Sequence, residues 1–283
     1  MKFKLLLMSL ALSFSFNGHG DVNRQYPVLK GPLMGQKPPG MMAEPFAPGI
    51  ISKSGWELEG VFAPGMEEFY FTTRNGKGTP IMVTGFRQQN GLWKKYTQFK
   101  RQGEVTFSPD GQRMHMAEGY QDRKGGGWTE RQSLGPMFDR EDYGIMRLSA
   151  SNKGTYVFDD YKSDDLIRIS TLNNGVRQAP KPMGPMVNTG EWTAHPFIAP
   201  DESYLIWDSE RKGGYGGSDL YISFRQENDS WGPAINMGEQ VNSAGWDAYA
   251  TVTPDGKHML FNRGMNEDNS NVDIYWIDAK IIE

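Results

Sequence analysis

A short phrase that recurs along the chain constrains the fold more than any other feature of the sequence. An apolar residue, a small residue, Pro and a turn residue precede an alternating strand in four places, and a degenerate fifth copy lacks the Pro. The five copies occupy residues 62–65, 107–111, 148–152, 198–201 and 252–256. Pro fixes φ at the first corner, Asp bonds to the backbone two residues on, and Gly accepts positive φ. Each copy therefore predicts a tight hairpin turn between two short strands.

Two further elements follow each hairpin. A third, apolar strand is often opened by Asp, and a polar turn then leads to an aromatic residue that marks a fourth strand. The Asp and Trp markers are Asp165, Asp219, Asp273, Trp93, Trp128 and Trp231. Four short antiparallel strands repeated about every 40–50 residues form a β-propeller blade. We expect an all-β chain folded as a single propeller, with five blades from the five turns, whereas typical repeat lengths would also suit six.

The last repeat ends at Glu283 after its third strand, so another part of the chain must supply its fourth. Residues 26–29, Tyr-Pro-Val-Leu, resemble the fourth strands of other repeats. We expect this N-terminal strand to close the ring and cover both sheet edges. Residues 46–49 duplicate the phrase at 62–65 and are interpreted as an inserted segment.

The N-terminus has the pattern of a secretory signal peptide. Lys2 and Lys4 precede an apolar run that ends at Phe16, and small residues follow up to Gly20. This predicts a signal peptide at residues 1–20, a closing strand and Pro/Gly-rich segment at 21–54, and repeats at 55–283. The run is too short for a membrane span, which needs about 20 residues, so we expect a periplasmic or secreted protein with no integral membrane segment after cleavage.

Composition removes several classes of site. The chain has no cysteine, which excludes disulfides, thiolate metal sites and cysteine nucleophiles. Its formal net charge is −4 without a block of like charges, so nucleic acid is not an expected partner. No cofactor loop, metal motif or nucleophile elbow is present, and we expect neither cofactor nor metal.

Several phrases resemble a known family. FSPDG at 107–111, TPDG at 253–256, and the segments 213–238 and 241–261 are similar to the TolB-like, WD-repeat-like propeller repeat of exported bacterial proteins. The resemblance covers roughly residues 45–283 and implies a propeller fold and an exported location. It does not imply TolB's partners, because TolB also carries an N-terminal domain that the segment before the repeats is too short to supply.

The loops that lead from one repeat into the next share an aromatic residue beside an acid. They contain Trp56 with Glu57, Asp142 with Tyr143, Glu191 with Trp192, and Trp246 with Asp247. Aromatic faces with carboxylates suit a sugar, a cationic group or a partner's basic side chain. The alternative is that each Trp is wedged between neighbouring blades and only packs.

A second set of candidates lies five residues before each turn proline, where the innermost strand begins. The residues are Glu59, Glu104, His195 and Tyr249, with Ile145 in the degenerate third copy. If the register holds, they face one channel, where such a cluster could bind a metal or transfer protons. The alternative is a hydrated channel in which the acids pair with Arg or Lys.

These features favour a binding or protein-interaction scaffold without catalysis, which meets a protein or glycan partner at the channel mouth. The residues expected there are Trp56, Glu59, Glu104, Trp192, His195, Trp246, Asp247 and Tyr249. The competing hypothesis is a glycoside hydrolase that uses Glu59 and Glu104. A carboxyl separation beyond ~10 Å, or a buried ion pair at either residue, would argue against it.

Overall fold

The computed structural model describes residues 29–53, 55–266 and 268–283, and the predicted signal peptide lies outside them. In that part of the chain no helix is long and apolar enough to cross a bilayer. Two short strands come first, β1 (Leu29–Lys30) and β2 (Glu44–Pro45), separated by a 3₁₀ helix at Pro32–Gly35. The remaining strands form successive antiparallel sheets that are arranged in a ring.

The first two sheets follow the predicted repeats closely. Blade 1 contains β3 (Glu57–Phe62), β4 (Glu68–Thr73), β5 (Met82–Gln89) and β6 (Leu92–Lys100). Blade 2 contains β7 (Val105–Phe107), β8 (Arg113–Met116), β9 (Gly119–Lys124), β10 (Gly127–Trp128) and β11 (Gln132–Ser133). In blade 2 the outer position is divided, because β10 and β11 both pair with β9.

The last three sheets complete a five-bladed propeller, the blade number that the five turns predict. Blade 3 contains β12 (Leu148–Ala150), β13 (Tyr156–Asp160), β14 (Leu166–Ser170), a small hairpin of β15 (Leu172–Asn173) and β16 (Val176–Arg177), and β17 (Lys181–Pro182). Blade 4 contains β18 (Glu191–Ile198), β19 (Tyr204–Glu210), β20 (Asp219–Phe224) and β21 (Ile235–Asn236). Blade 5 contains β22 (Trp246–Val252), β23 (His258–Gly264) and β24 (Val272–Asp278), and a 3₁₀ helix at Ala279–Ile282 follows it.

An N-terminal strand closes the ring, but it is not the segment at 26–29. The fourth strand of blade 5 is β2, in which Glu44 pairs with Trp276 and Pro45 with Tyr275. Leu29 instead extends blade 1, where it pairs with Trp93. Tyr26, Pro27 and Val28 lie outside the described residues.

The duplicated phrase at 46–49 joins the two ends of the ring. Phe46 follows β2 and is completely buried. Its ring lies 4.9 Å from that of Phe69 and 5.9 Å from that of Phe62, both in blade 1, and 5.1 Å from that of Trp276 in blade 5. The segment interpreted as an insertion is thus an apolar clasp between the first and last blades.

The turn of blade 3 lies two residues later in the chain than the sequence predicted. The hydrogen bond that closes each turn runs from the residue before the Pro position, and in blade 3 the donor is the Ser151 amide, as it is the Ser108 amide in blade 2. Asn152 therefore occupies the Pro position, two residues later than Ala150, which stands five residues after the predicted Ile145. Gly154 confirms the shift, since it bonds back to Ser151 with φ 76, as Gly111 bonds back to Ser108 with φ 69.

The clasp predicts where the ring is most sensitive. Phe46→Ala should lower the free energy of unfolding by about 3–5 kcal/mol, because it leaves a cavity between three buried aromatic rings. Met42→Ala is the control: Met42 is 65% exposed just before β2, and its loss should stay within about ±0.5 kcal/mol. Denaturant unfolding measures both, and equal midpoints would contradict this account of ring closure.

Candidate functional site

The side chains that stand five residues before the Pro position of each turn meet at the propeller axis. With Asn152 in the Pro position, the residue of blade 3 is Arg147 and not the predicted Ile145. We call Glu59, Glu104, Arg147, His195 and Tyr249 the hub. The predicted register is confirmed for the other four residues, one from each remaining blade.

Three hub residues stand at irregularities of the inner strands. Glu59, His195 and Tyr249 have φ of 59°, 50° and 59°, and in each strand the register with its neighbour shifts around that residue. The left-handed region is uncommon for residues other than Gly and needs support from the surrounding structure.

That support comes from the neighbouring blade. The Glu59 amide donates to Asn262 Oδ1 at 2.9 Å, and the Tyr249 amide donates to Asp208 Oδ1 at 3.1 Å. The His195 amide donates to Asp159 Oδ2, also at 3.1 Å. In each pair the acceptor lies on the second strand of the preceding blade, so these bonds tie the blades together at the axis.

The two hub glutamates are buried in ion pairs. Arg101 Nη2 lies 2.7 Å from Glu59 Oε1 and 3.5 Å from Glu104 Oε1, so one guanidinium joins both. Arg147 Nε donates to Glu104 Oε2 at 2.8 Å, and both partners are almost completely buried. Burial raises the pKa of Glu104 to about 7, against the opposing effects of His195 and Arg147.

His195 lies between two carboxylates and the phenol of the hub. Its ring is stacked on that of Tyr249 with centroids 3.7 Å apart. Nδ1 is 2.9 Å from Asp208 Oδ1, and Nε2 is 3.4 Å from Glu104 Oε1. Burial alone would lower the pKa of His195, but the carboxylates of Asp208 and Glu104 outweigh it and raise the pKa to about 9.

Asp159 and Asp208 were missed by the sequence analysis. Asp159 is buried and accepts hydrogen bonds from the amides of Met146, Arg147 and His195. Burial nevertheless raises its pKa above the ordinary value. A signal was present, because a polar residue interrupts the apolar run of several second strands: Thr72, Asp159, Asp208 and Asn262.

The loops between blades form one face of the propeller, which we call the loop face, and their three tryptophans differ there. Trp192 is 62% exposed and has φ 50. Trp56 is half-buried beneath Arg74, whose guanidinium carbon lies 4.5 Å from the ring centroid. Trp246 is half-buried against Tyr249, with 5.4 Å between ring centroids. Only Trp192, among the three, presents most of its surface to solvent.

Their acidic neighbours differ as well. Glu191 is exposed beside Trp192. Asp247, expected at the mouth, is buried: it pairs with Arg263 Nε at 2.7 Å and accepts from the Ser243 amide and hydroxyl. Glu57 is also buried. Burial raises the pKa of Glu57 to about 7. Of the three acids beside these tryptophans, Glu191 alone is exposed to solvent.

The opposite face, which we call the turn face, carries the five tight turns around a cavity of about 290 Å³. The residues at the five turn positions line it: Pro64, Pro109, Asn152, Pro200 and Pro254. Arg147 is the hub residue that reaches it. This cavity was not predicted from the sequence, whose candidate binding residues were expected at the channel mouth on the loop face.

Comparisons with known proteins show the fold. The sequence matches no protein-family model and no curated protein. Among solved structures, the α-L-arabinofuranosidase from Podospora anserina in complex with cellotriose has a TM-score of 0.50 at 9% identity, over 85% of this chain and 98% of that one. The catalytic domain of the glycoside hydrolase family 62 α-L-arabinofuranosidase from Coprinopsis cinerea also gives 0.50 at 9%, over 89% and 96%.

TolB from Acinetobacter baumannii is a further similar structure, with a TM-score of 0.46 and 14% identity over 80% of this chain. The chain spans 57% of that protein's length. At such identities the likeness is one of propeller fold.

The buried ion pair at the hub can be tested by removing one charge. Arg147→Met should cost about 3–5 kcal/mol of unfolding free energy, because Glu104 is then left buried without its closest cation. Arg140→Met removes an Arg from the exposed pair with Asp142 and should change stability little. Thermal unfolding compares the two variants, and equal melting temperatures would show that the hub pair contributes no more than a surface pair.

The cost of replacing a loop tryptophan by Ala should depend on how far its side chain is exposed. Trp192→Ala should keep the unfolding free energy within about ±0.5 kcal/mol, as surface substitutions do. Trp246→Ala should cost about 1–3 kcal/mol, since it removes an aromatic contact to the hub residue Tyr249. Denaturant unfolding measures both. The reverse order would mean that Trp192 packs in a way its exposure does not indicate.

Proposed function

We propose that this chain is an exported, non-catalytic propeller that binds a partner at its loop face through Trp192 and Glu191. The observation that carries the proposal is Trp192: a large aromatic side chain, mostly exposed, on a backbone held at positive φ. Backbone strain clusters at functional sites, and an exposed aromatic face suits stacking on a sugar or a cation.

The surroundings of Trp192 support recognition of a sugar or a cationic group. Two acids and two basic residues line a depression of about 550 Å³ beside it: Glu191, Glu210, Arg211 and Lys212. An aromatic face stacks on a sugar ring or a cation, and nearby carboxylates accept hydrogen bonds from hydroxyl or ammonium groups.

The hydrolase hypothesis loses support from the hub geometry. Glu59 and Glu104 lie close enough to share the Arg101 guanidinium, so their separation alone permits catalysis. Both are buried in ion pairs, however, and Glu104 is also bound by Arg147. A general acid must release its proton to a leaving group, and a nucleophile must reach the sugar. Carboxylates that neutralise buried guanidiniums are poorly placed for either task.

Binding is tested in two formats, by binding of the protein to a glycan array and by retention of proteins from a periplasmic extract of the host on the immobilised protein. Wild type and Trp192→Ala are compared in both. We expect wild type to bind a defined glycan or basic protein. Trp192→Ala should lose this binding but keep the unfolding free energy of wild type.

The matched control is Val176→Ala. Val176 is 64% exposed, close to the 62% of Trp192, but it lies in the β15–β16 hairpin at the end of the third strand and so belongs to the turn face. Retention lost equally in both variants, or in neither, would place the binding surface elsewhere. Turnover of an arabinoside or another glycoside by wild type would overturn the non-catalytic assignment.

A further inference from the structure

We propose that the hub holds a divalent transition-metal ion, of the zinc or manganese type, between His195, Glu104 and Asp159. One ligand atom from each residue lies within 4.8 Å of the others, and all three side chains are buried. This departs from the sequence analysis, which expected no metal. The residues come from three different blades; counting back from the turn prolines had placed Glu104 and His195 in one cluster that could bind a metal, but it did not locate Asp159.

The imidazole is oriented for a ligand. Asp208 Oδ1 accepts from Nδ1 at 2.9 Å, which leaves the lone pair of Nε2 directed at the other two residues. A carboxylate that fixes the tautomer of a histidine in this way is the usual outer partner of a metal-bound imidazole. The backbone amides bound to Asp159 fix that carboxylate too.

Nε2 of His195 has no hydrogen-bond partner among the described residues, although it is buried. Glu104 Oε1 is only 3.4 Å away from it. A neutral Nε2 carries a lone pair, which repels a carboxylate oxygen. Something positive must therefore stand between the two atoms, either a proton or a metal ion.

The charges at the axis favour a dication. Four buried carboxylates surround the hub, those of Glu59, Glu104, Asp159 and Asp208. Two guanidiniums, from Arg101 and Arg147, face them. When all four carboxylates are ionised and His195 is neutral, this leaves an excess of two negative charges. A proton on His195 removes one of these charges, and a divalent ion removes both, which matters because unpaired buried charge is costly.

The donor set selects the class of metal. One imidazole nitrogen with two carboxylate oxygens suits zinc or manganese, whereas calcium and magnesium prefer oxygen ligands throughout. The turn-face cavity approaches the site, since Arg147 lines it and contacts Glu104 directly, although the three ligand residues do not themselves line it.

The test measures metal content and not activity. Protein carrying a tag without histidine is stripped with EDTA, incubated with Zn²⁺ or Mn²⁺, freed of excess metal and analysed by elemental mass spectrometry. We expect one ion per chain and a melting temperature that rises with metal concentration. Ca²⁺ and Mg²⁺, added in parallel, should not be retained.

His195→Gln should abolish retention. The matched control is His115→Gln, because His115 in β8 is also buried with unpartnered ring nitrogens but lies outside the hub. Equal retention by the two variants, or none by wild type, would overturn the site, and retention of calcium alone would overturn the nitrogen ligand.

If His195→Gln does not fold, Glu104→Gln and the wild-type spectrum decide. Co²⁺ bound by wild type should give visible d–d absorption that Zn²⁺ displaces, and Glu104→Gln should weaken it. Absence of that absorption would overturn the proposal.

Discussion

The ring depends on backbone amides that cross from one blade to the next at the axis. At Glu59, His195 and Tyr249 the inner strand bulges into the left-handed region, and its amide reaches a polar side chain of the preceding blade. A buried amide left without an acceptor is costly, so the acceptor must be polar and fixed. Two of the three acceptors are the carboxylates Asp159 and Asp208. The acidity of the hub is thus partly a consequence of how the blades are joined.

Much of this centre was predictable because the turns set the register. Counting five residues back from each turn proline located four of the five hub residues without any knowledge of the fold. The count failed in blade 3, where no proline marks the turn and Asn152 takes its place. An alignment on the glycine that bonds back to the first turn residue, Gly154, would have located Arg147.

The closing strand and the loop tryptophans could not be read from repeats alone. β2 has two residues and ends in Pro45, so its strand signal is weak, and its place is determined by the burial of the following Phe46 between two blades. Trp56, Trp192 and Trp246 each stand beside an acid in a loop between blades. Their exposure, however, is determined by which other side chains lie over them. Arg74 lies over Trp56 and Tyr249 contacts Trp246, and these contacts depend on tertiary structure.

The propeller fold is shared with carbohydrate-active enzymes at 9% identity, so the fold alone does not decide between catalysis and binding. The accessibility and ion pairing of the carboxylates at the axis help to decide between the two. A carboxylate that transfers protons to a substrate must be reachable and free to change its charge. Here Glu59 and Glu104 share Arg101, and the remaining negative charge surrounds the imidazole of His195. Carboxylates that are enclosed among fixed partners are poorly placed to exchange protons with a substrate. This favours the proposed recognition by groups at the rim, such as Trp192 and Glu191, whose ring face and charge are open to solvent.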